Sequence, residues 1–419
     1  MRGSLLGVVV VALVASPAFG DDLKYERDRM KAILANVSKE VAQNFYDPDL
    51  RGLDWKKLTD EAAVRIERAP SRRQMVTAIF ALVDSLQNSH TIFMPPGFVD
   101  KPFFGFEAKA YGGEIRVSQL ADGSPAAIAG LMLGDRILSI NRLSVDRSNI
   151  DLTMLVLRAL RPVMAMEIQV ASGSGAARTV RIDAQIRKGM RTLDLTQIEN
   201  LYQLIREAEN QAPRFSYQAY DDGIGYLGLP TFAVDGDFLD GLVKEVKKSR
   251  AMLVDVRNNP GGSLETLASF AGCFVDKSDT IGYMLGRKRS EPLKLKPRNP
   301  TLAGPLFILV DSQSASSAEL FARHFQRTGR ATVIGDRTSG RASVSRFLPG
   351  MIGMDRVVFY GVQVATARMV LPGGEELEGR GVTPDRSCVP LPEDLRERRD
   401  PCFALAYQEA RKALGLERP

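Results

Sequence analysis

Histidine, cysteine and tryptophan are scarce in this chain: its 419 residues include two His, three Cys and one Trp. So few imidazoles and thiols exclude a His- or Cys-rich metal site, and they restrict any imidazole mechanism to His90 or His324. A dominant charge is also missing. Lys plus Arg number 56 and Asp plus Glu 50, and the surplus is spread along the sequence with no basic run or aromatic interleaving of a nucleic-acid groove. The charge reads as solvated surface, with no nucleic-acid partner. Hydrophobic residues at 44% and charged residues at 25% exclude general disorder and multi-span membrane architecture.

The length is enough for two to four domains. Met1-Arg2, the apolar run Leu5 to Ala15 and the small residues Ala18 and Gly20 around Phe19 form a secretory signal peptide pattern with cleavage after Gly20. Eleven apolar residues are too few for a span, which takes about 20, so the mature protein is expected to be periplasmic or secreted, without a stable membrane span. Disulfides persist there. Cys388 and Cys402 are close in sequence and form the candidate pair, worth roughly 3 kcal/mol if unstrained; Cys273, in an apolar stretch, reads as buried.

Met30, Ile33, Leu34, Val37, Val41 and Phe45 recur at helical spacing, and a second helix opens at Ser71 with a capping-box pattern to Gln74. Residues 21–97 therefore read as a helical N-terminal domain ending in Asn88-Ser89-His90-Thr91. From 98 to 188 short β-type runs alternate with turns. Phe103-Phe104-Gly105-Phe106, Ser124-Pro125-Ala126-Ala127 and Gly134-Asp135-Arg136-Ile137 resemble a PDZ domain of the bacterial protease-associated form. That resemblance implies a sheet edge that adds a peptide strand, with backbone N–H groups of Phe104, Gly105 and Phe106 receiving a peptide C-terminus. From 189 to 392 strands alternate with helices, an α/β layer with buried strands, and 393–419 reads as a C-terminal helical tail. The Pro-, Lys- and Arg-dense stretch from Arg287 to Pro300 is expected to be a surface excursion.

After the apolar strand Leu306 to Val310 come Asp311-Ser312-Gln313-Ser314-Ala315-Ser316-Ser317-Ala318-Glu319 and a helical run. A serine at a strand-to-helix turn is exposed, and the helix N-terminus behind it offers free N–H groups to a developing oxyanion. The second half of the pattern is Asp255-Val256-Arg257-Asn258-Asn259-Pro260-Gly261-Gly262, at the carboxyl end of another buried strand. Its glycines let backbone N–H groups approach a substrate.

Together with Glu378-Gly379-Arg380-Gly381, Tyr46-Asp47-Pro48 and Asp54-Trp55, these motifs resemble the carboxy-terminal processing (tail-specific) serine proteases. The fold so implied is multidomain α/β: helical N-terminal domain, PDZ-like β-rich domain and α/β protease core. By position, the resemblance makes Ser316 the nucleophile and gives the oxyanion hole to the N–H of Ser317 and that of Gly261 or Gly262. Glu319 on the first helical turn positions the loop. In Ser-Lys members a lysine base lies in a Thr-x-Gly-Lys segment; here that stretch is Thr338-Ser339-Gly340-Arg341, and arginine does not release a proton at physiological pH. The tricorn-type arrangement remains, in which a histidine is the base and a glutamate holds it. Ser89-His90 and Glu378 match it, with the carboxylate on the far imidazole nitrogen. His324 lies about 12 Å further along its helix. The resemblance implies a serine endopeptidase acting on polypeptides, with no metal or other cofactor. The competing class is a degenerate protease fold serving as a PDZ-based peptide-binding or scaffold protein.

Overall fold

The computed structural model describes residues 18–96, 100–160, 162–172, 175–188, 193–194, 214–299, 301–353 and 356–416. The apolar run of the expected signal peptide lies outside them. Among the described residues no helix is long and apolar enough to cross a membrane.

Three helices open the chain, Ala18–Asn44, Trp55–Arg68 and Arg72–Asp84. Asp54 caps the second, accepting from the Lys57 N–H, and the Trp55 indole donates to the Ser38 carbonyl. Ser71 does precede the third helix, but its side chain makes no capping bond, so the sequence-based capping box is not realised. Met30, Ile33, Val37, Val41, Ile66, Met75 and Ile79 point into one core. Val362, Val364 and Ala365 complete it from the strand Arg356–Val370. The helical region therefore shares its core with chain nearly 300 residues downstream.

The β-rich insert has its own core. Its sheet runs in the order Phe106–Tyr111, Glu114–Leu120, Arg136–Ile140, Ala165–Ala171 and Arg178–Asp183, with a helix at Ile150–Leu155. Alternation sets the faces: Met166, Ile168 and Val170 are buried while Glu167 and Gln169 are exposed.

In the α/β unit the sheet order is Ser216–Ala219, Ile224–Gly228, Ala251–Asp255, Leu306–Val310, Ala331–Gly335 and Arg386–Ser387, parallel except for the first pair. Both faces are covered, which is why Ala251–Asp255 and Leu306–Val310 are buried at every position. Met252 and Val254 face a core shared with the helices Gly236–Val246, Leu264–Ala271 and Ser317–Arg327. Ala251 and Leu253 face the opposite way, against Cys402, Ala406 and Ala410 of the helix Pro401–Ala413. The C-terminal helix is thus a layer of the α/β unit, tied to the sheet end by the Cys388–Cys402 disulfide, whose Cα atoms are 5.6 Å apart.

The stretch expected to be a surface excursion contains a strand, Ser290–Leu295, paired with Asp279–Gly286. Leu293 and Leu295 are buried while Pro292, Lys294 and Lys296 are exposed. The alternation was hidden by composition, and on an edge strand Pro292 removes no ladder bond that the sheet needs.

Candidate active site

Ser316 follows the central strand Leu306–Val310 and initiates the helix Ser317–Arg327. Its backbone has φ 54° and ψ −121°, a strained conformation for a residue with a Cβ, costing about 1–3 kcal/mol. The surroundings enforce it. Phe321 lies within 5.0–6.1 Å, ring centre to ring centre, of Phe325, Phe270, Phe232 and Phe274, so the helix cannot shift without opening an aromatic core. Ser314, Ala315 and residues 317–322 are buried, while Ser316 between them is partly exposed.

Glu319, one turn along, is fully buried. Its carboxylate accepts from the N–H of Ser316 (3.1 Å), Gly340 (2.7 Å) and Arg341 (2.9 Å) and from the Thr338 hydroxyl (2.5 Å). Burial raises its pKa, and these donors act in the opposite direction. Glu319 and Thr338 therefore act through the backbone, clamping the 338–341 segment onto the turn that carries Ser316.

Two backbone N–H groups beside Ser316 donate to no protein acceptor among the described residues: that of Ser317, at the first helical position, and that of Gly262. Gly261 is different. Its N–H donates to Asn259 Oδ1 at 2.7 Å, so of the two glycines between which the sequence left the choice open, Gly262 has the open N–H. Gly261 serves by having no side chain: at φ 101°, a Cβ there would lie 2.6 Å from Ser316 Cβ. The two loops are locked together. Asp311 accepts from the N–H groups of Asn258, Gln313 and Ser314, Ala315 N–H donates to the Asn259 carbonyl, and Ser317 Oγ donates to the Gly262 carbonyl.

His90 is buried at the end of the helical region. Its Nδ1 is 2.9 Å from Ser89 Oγ, and Ser89 Oγ donates to Glu378 Oε1 at 2.5 Å. The expected direct carboxylate–imidazole bond is thus replaced by a relay through the Ser89 hydroxyl. Glu378 Oε2 accepts from the N–H groups of Ala342 (2.8 Å) and Ser343 (3.0 Å) and from Ser343 Oγ (3.1 Å). Burial holds the His90 imidazole below its ordinary value near 6.5; the Glu378 charge opposes this and the Arg341 charge adds to it. Burial alone would raise the Glu378 carboxyl, but donation from Ser89, Ala342 and Ser343, together with the charge of His90, outweighs it and leaves the carboxyl below its usual range. The ring is therefore neutral at pH 7, beside an ionised carboxylate.

One short segment joins the two halves. The Arg341 carbonyl accepts the Ser316 N–H at 2.6 Å, and the next two residues hold Glu378. The Arg341 side chain points away, to Asp151 Oδ2 at 2.7 Å on the insert's helix Ile150–Leu155. The position that matches the lysine of the Ser-Lys segment thus holds a guanidinium bonded to the insert. Ser316 Oγ and His90 share no hydrogen bond among the described residues.

His324 stays outside this assembly. It is buried, and among the described residues neither ring nitrogen has a hydrogen-bond partner, Nε2 being 3.8 Å from Asp279 Oδ2; burial lowers its pKa. In the insert, Phe104 and Phe106 are core residues, and Gly105 lies between them beside a cavity of about 240 Å³ lined also by Gln119 and Arg158. Arg158 donates to the Phe106 carbonyl and to Glu107. Two residues that sequence reasoning missed are Asn259 and Asp311, which orient the 258–262 and 311–316 loops. A third is Lys109, whose buried ammonium pairs with Asp311 and donates to Asn258 Oδ1. Asn259 and Asp311 sit inside motifs already singled out; no local signal marks Lys109, which arrives from the insert.

Residues 223–388 match the model of peptidase family S41. The chain is 24% identical over 371 residues to carboxyl-terminal-processing peptidase 1, chloroplastic, of Arabidopsis thaliana, covering 84% of this chain and 70% of that protein. It is 26% identical over 370 residues to the carboxyl-terminal-processing protease of Picosynechococcus sp., covering 84% and 82%. The fold resembles that of mature CPAF, with a TM-score of 0.66 at 13% identity over 94% of this chain and 98% of that one. It also resembles the photosystem II D1 C-terminal processing protease, with a TM-score of 0.52 at 19% identity over 87% and 94%.

Proposed function

We propose that the chain is a serine endopeptidase of the carboxyl-terminal-processing type, using Ser316, His90 and Glu378 in the tricorn-type arrangement; the match of residues 223–388 to peptidase family S41 and the likeness to carboxyl-terminal-processing proteases support this reading. His90 Nε2 takes the Ser316 proton as the hydroxyl attacks the scissile carbonyl. The tetrahedral oxyanion is received by the N–H groups of Ser317 and Gly262, already fixed by the helix start and by the 258–262 loop. His90 then returns its proton to the leaving amine, and water repeats the sequence on the acyl-enzyme. Ser89 and Glu378 hold the imidazole tautomer and stabilise the imidazolium.

The observation that carries this reading is the 341–343 segment, which accepts the Ser316 N–H at Arg341 and donates to Glu378 at Ala342 and Ser343. In this reading the insert is a PDZ-like domain that takes a substrate C-terminus at its Phe104-Gly105-Phe106 loop, and the enzyme works in the periplasm or outside the cell after loss of residues 1–20. Cleavage of an unstructured polypeptide by wild type and Ser316→Ala tests the assignment. Loss of activity with an unchanged circular dichroism spectrum is expected, and turnover by the variant at the wild-type rate would overturn it.

A further inference from the structure

Beside the candidate active site the strands Val344–Ile352, Arg356–Val370 and Ile92–Met94 form one sheet. Its inner face, with Leu348, Val362 and Val364, packs on the N-terminal helices. Its outer face carries exposed apolar side chains. Phe347, Pro349 and Met351 stand opposite Gln363, Gly361 and Phe359, and Met94 pairs with Gly361 from the other side. Met351 is 71% exposed, Phe347 and Phe359 49% each, and Met94 42%. Gly361 lies at the centre because a Cβ there would sit 2.4 Å from the Phe347 ring; its absence lets that ring lie flat across the sheet.

Both flanking strands lead away from the relay. Val344–Ile352 starts directly after Ala342 and Ser343, which hold Glu378. Ile92–Met94 starts two residues after His90: Phe93 is buried inward with Val362, and Ile92 and Met94 lie on the other face.

We propose that this outer face is a docking surface for apolar residues of an extended polypeptide substrate on its way to Ser316. The proposal rests on the peptidase reading above and names the substrate feature that the site favours. A second copy of the chain fits the face less well. The exposed parts of these side chains amount to roughly 400 Å², a patch typical of a functional site, whereas a stable dimer buries about 800 Å² per partner. The geometry also sets a register. At about 3.3 Å per extended residue, Phe347 and Met351 lie about 13 and 26 Å beyond Ser343, so the apolar substrate residues belong about four to eight positions from the scissile bond.

Two fluorescein-labelled peptides that differ only there, Leu and Phe in one and Ser in the other, test it on the full chain. Binding is read by anisotropy on Ser316→Ala, and cleavage by kcat/KM on wild type. The apolar peptide is expected to bind about tenfold more tightly, and the ratio of the two affinities should fall to near one in Met351→Ser/Phe359→Ser and in the milder Met351→Glu. Equal binding of the two peptides, or a preference that survives both substitutions, would overturn the proposal. So would sedimentation showing a dimer that these substitutions dissociate. Failure of the catalytic assignment reads out separately: if Ser316→Ala still cleaves, Ser316 is not the nucleophile, while the comparison of bound peptides keeps its meaning.

Discussion

Ser316 and His90 reach the same site by opposite routes. Ser316, the proposed nucleophile, sits on a continuous strand, turn and helix whose neighbours are buried, and its strained backbone is held by a packed aromatic core. His90, the proposed base, follows the N-terminal helices and is held by a relay of hydrogen bonds from Ser89 to Glu378, 289 residues away. One arrangement is rigid because it is packed. The other is only as strong as its individual hydrogen bonds, each worth about 0.5–1.5 kcal/mol net. Ser316 should therefore be disturbed only by changes that undo its buried support, whereas loss of a single hydroxyl should disturb His90.

The largest break in that comparison comes from removing the nucleophile. Ser316→Ala should lower kcat/KM about 10⁴-fold or more. Ser316→Gly should be equally inactive and yet more stable, by roughly 1 kcal/mol in urea titration, because glycine adopts φ 54° without strain. Loss of stability in the glycine variant would mean that the turn is not strained. Next in size is Glu319→Ala, which leaves the N–H groups of Ser316, Gly340 and Arg341 without their buried acceptor. Each such group costs about 1–3 kcal/mol, so both the urea midpoint and activity should fall; an unchanged midpoint would show that the clamp is idle.

Ser89→Ala cuts the relay and leaves the nucleophile loop untouched. A fall in kcat of about 10–100-fold is expected, with a loss of stability no larger than the two hydrogen bonds removed, each about 0.5–1.5 kcal/mol, and combining it with Glu378→Gln should add little further loss of kcat. Multiplying losses would mean that the two act independently. The smallest effect concerns pH. The base must be neutral, and burial lowers its pKa, so the acid limb of kcat/KM should lie below pH 6.5. Because the Glu378 charge raises the His90 pKa, Glu378→Gln should move that limb lower still; movement to higher pH would contradict the relay. Stability has the same sign. The folded pKa values of His90 and His324 lie below the unfolded value, so their contribution to stability is lost as pH falls through 6.5. His324→Phe should flatten that decline.

What could be read from the sequence divides along the same line. The strand Leu306–Val310, the turn and the helix after Ser316 follow from local periodicity and composition, as do the parallel strands and the amphipathic helices. Contacts that depend on distance in space do not. The capping box at Ser71 matched a pattern without making the bond, and the strand Ser290–Leu295 was masked by Pro, Lys and Arg although its leucines alternate. Whether Gly261 or Gly262 carries the free N–H depends on which way Asn259 turns, and no spacing encodes that. Glu378 was legible as the partner of His90, but the intervening Ser89 hydroxyl depends on a separation between two loops that only folding sets. Lys109 belongs to the same class, because its pairing with Asp311 crosses from the insert to the α/β unit.

The central claim is that an imidazole replaces lysine as the base. Its most direct test is kcat/KM of His90→Gln on an unstructured polypeptide, with folding checked by thermal denaturation. A fall of about 10²–10⁴-fold in a folded protein is expected. Activity within about twofold of wild type would remove His90 from the mechanism.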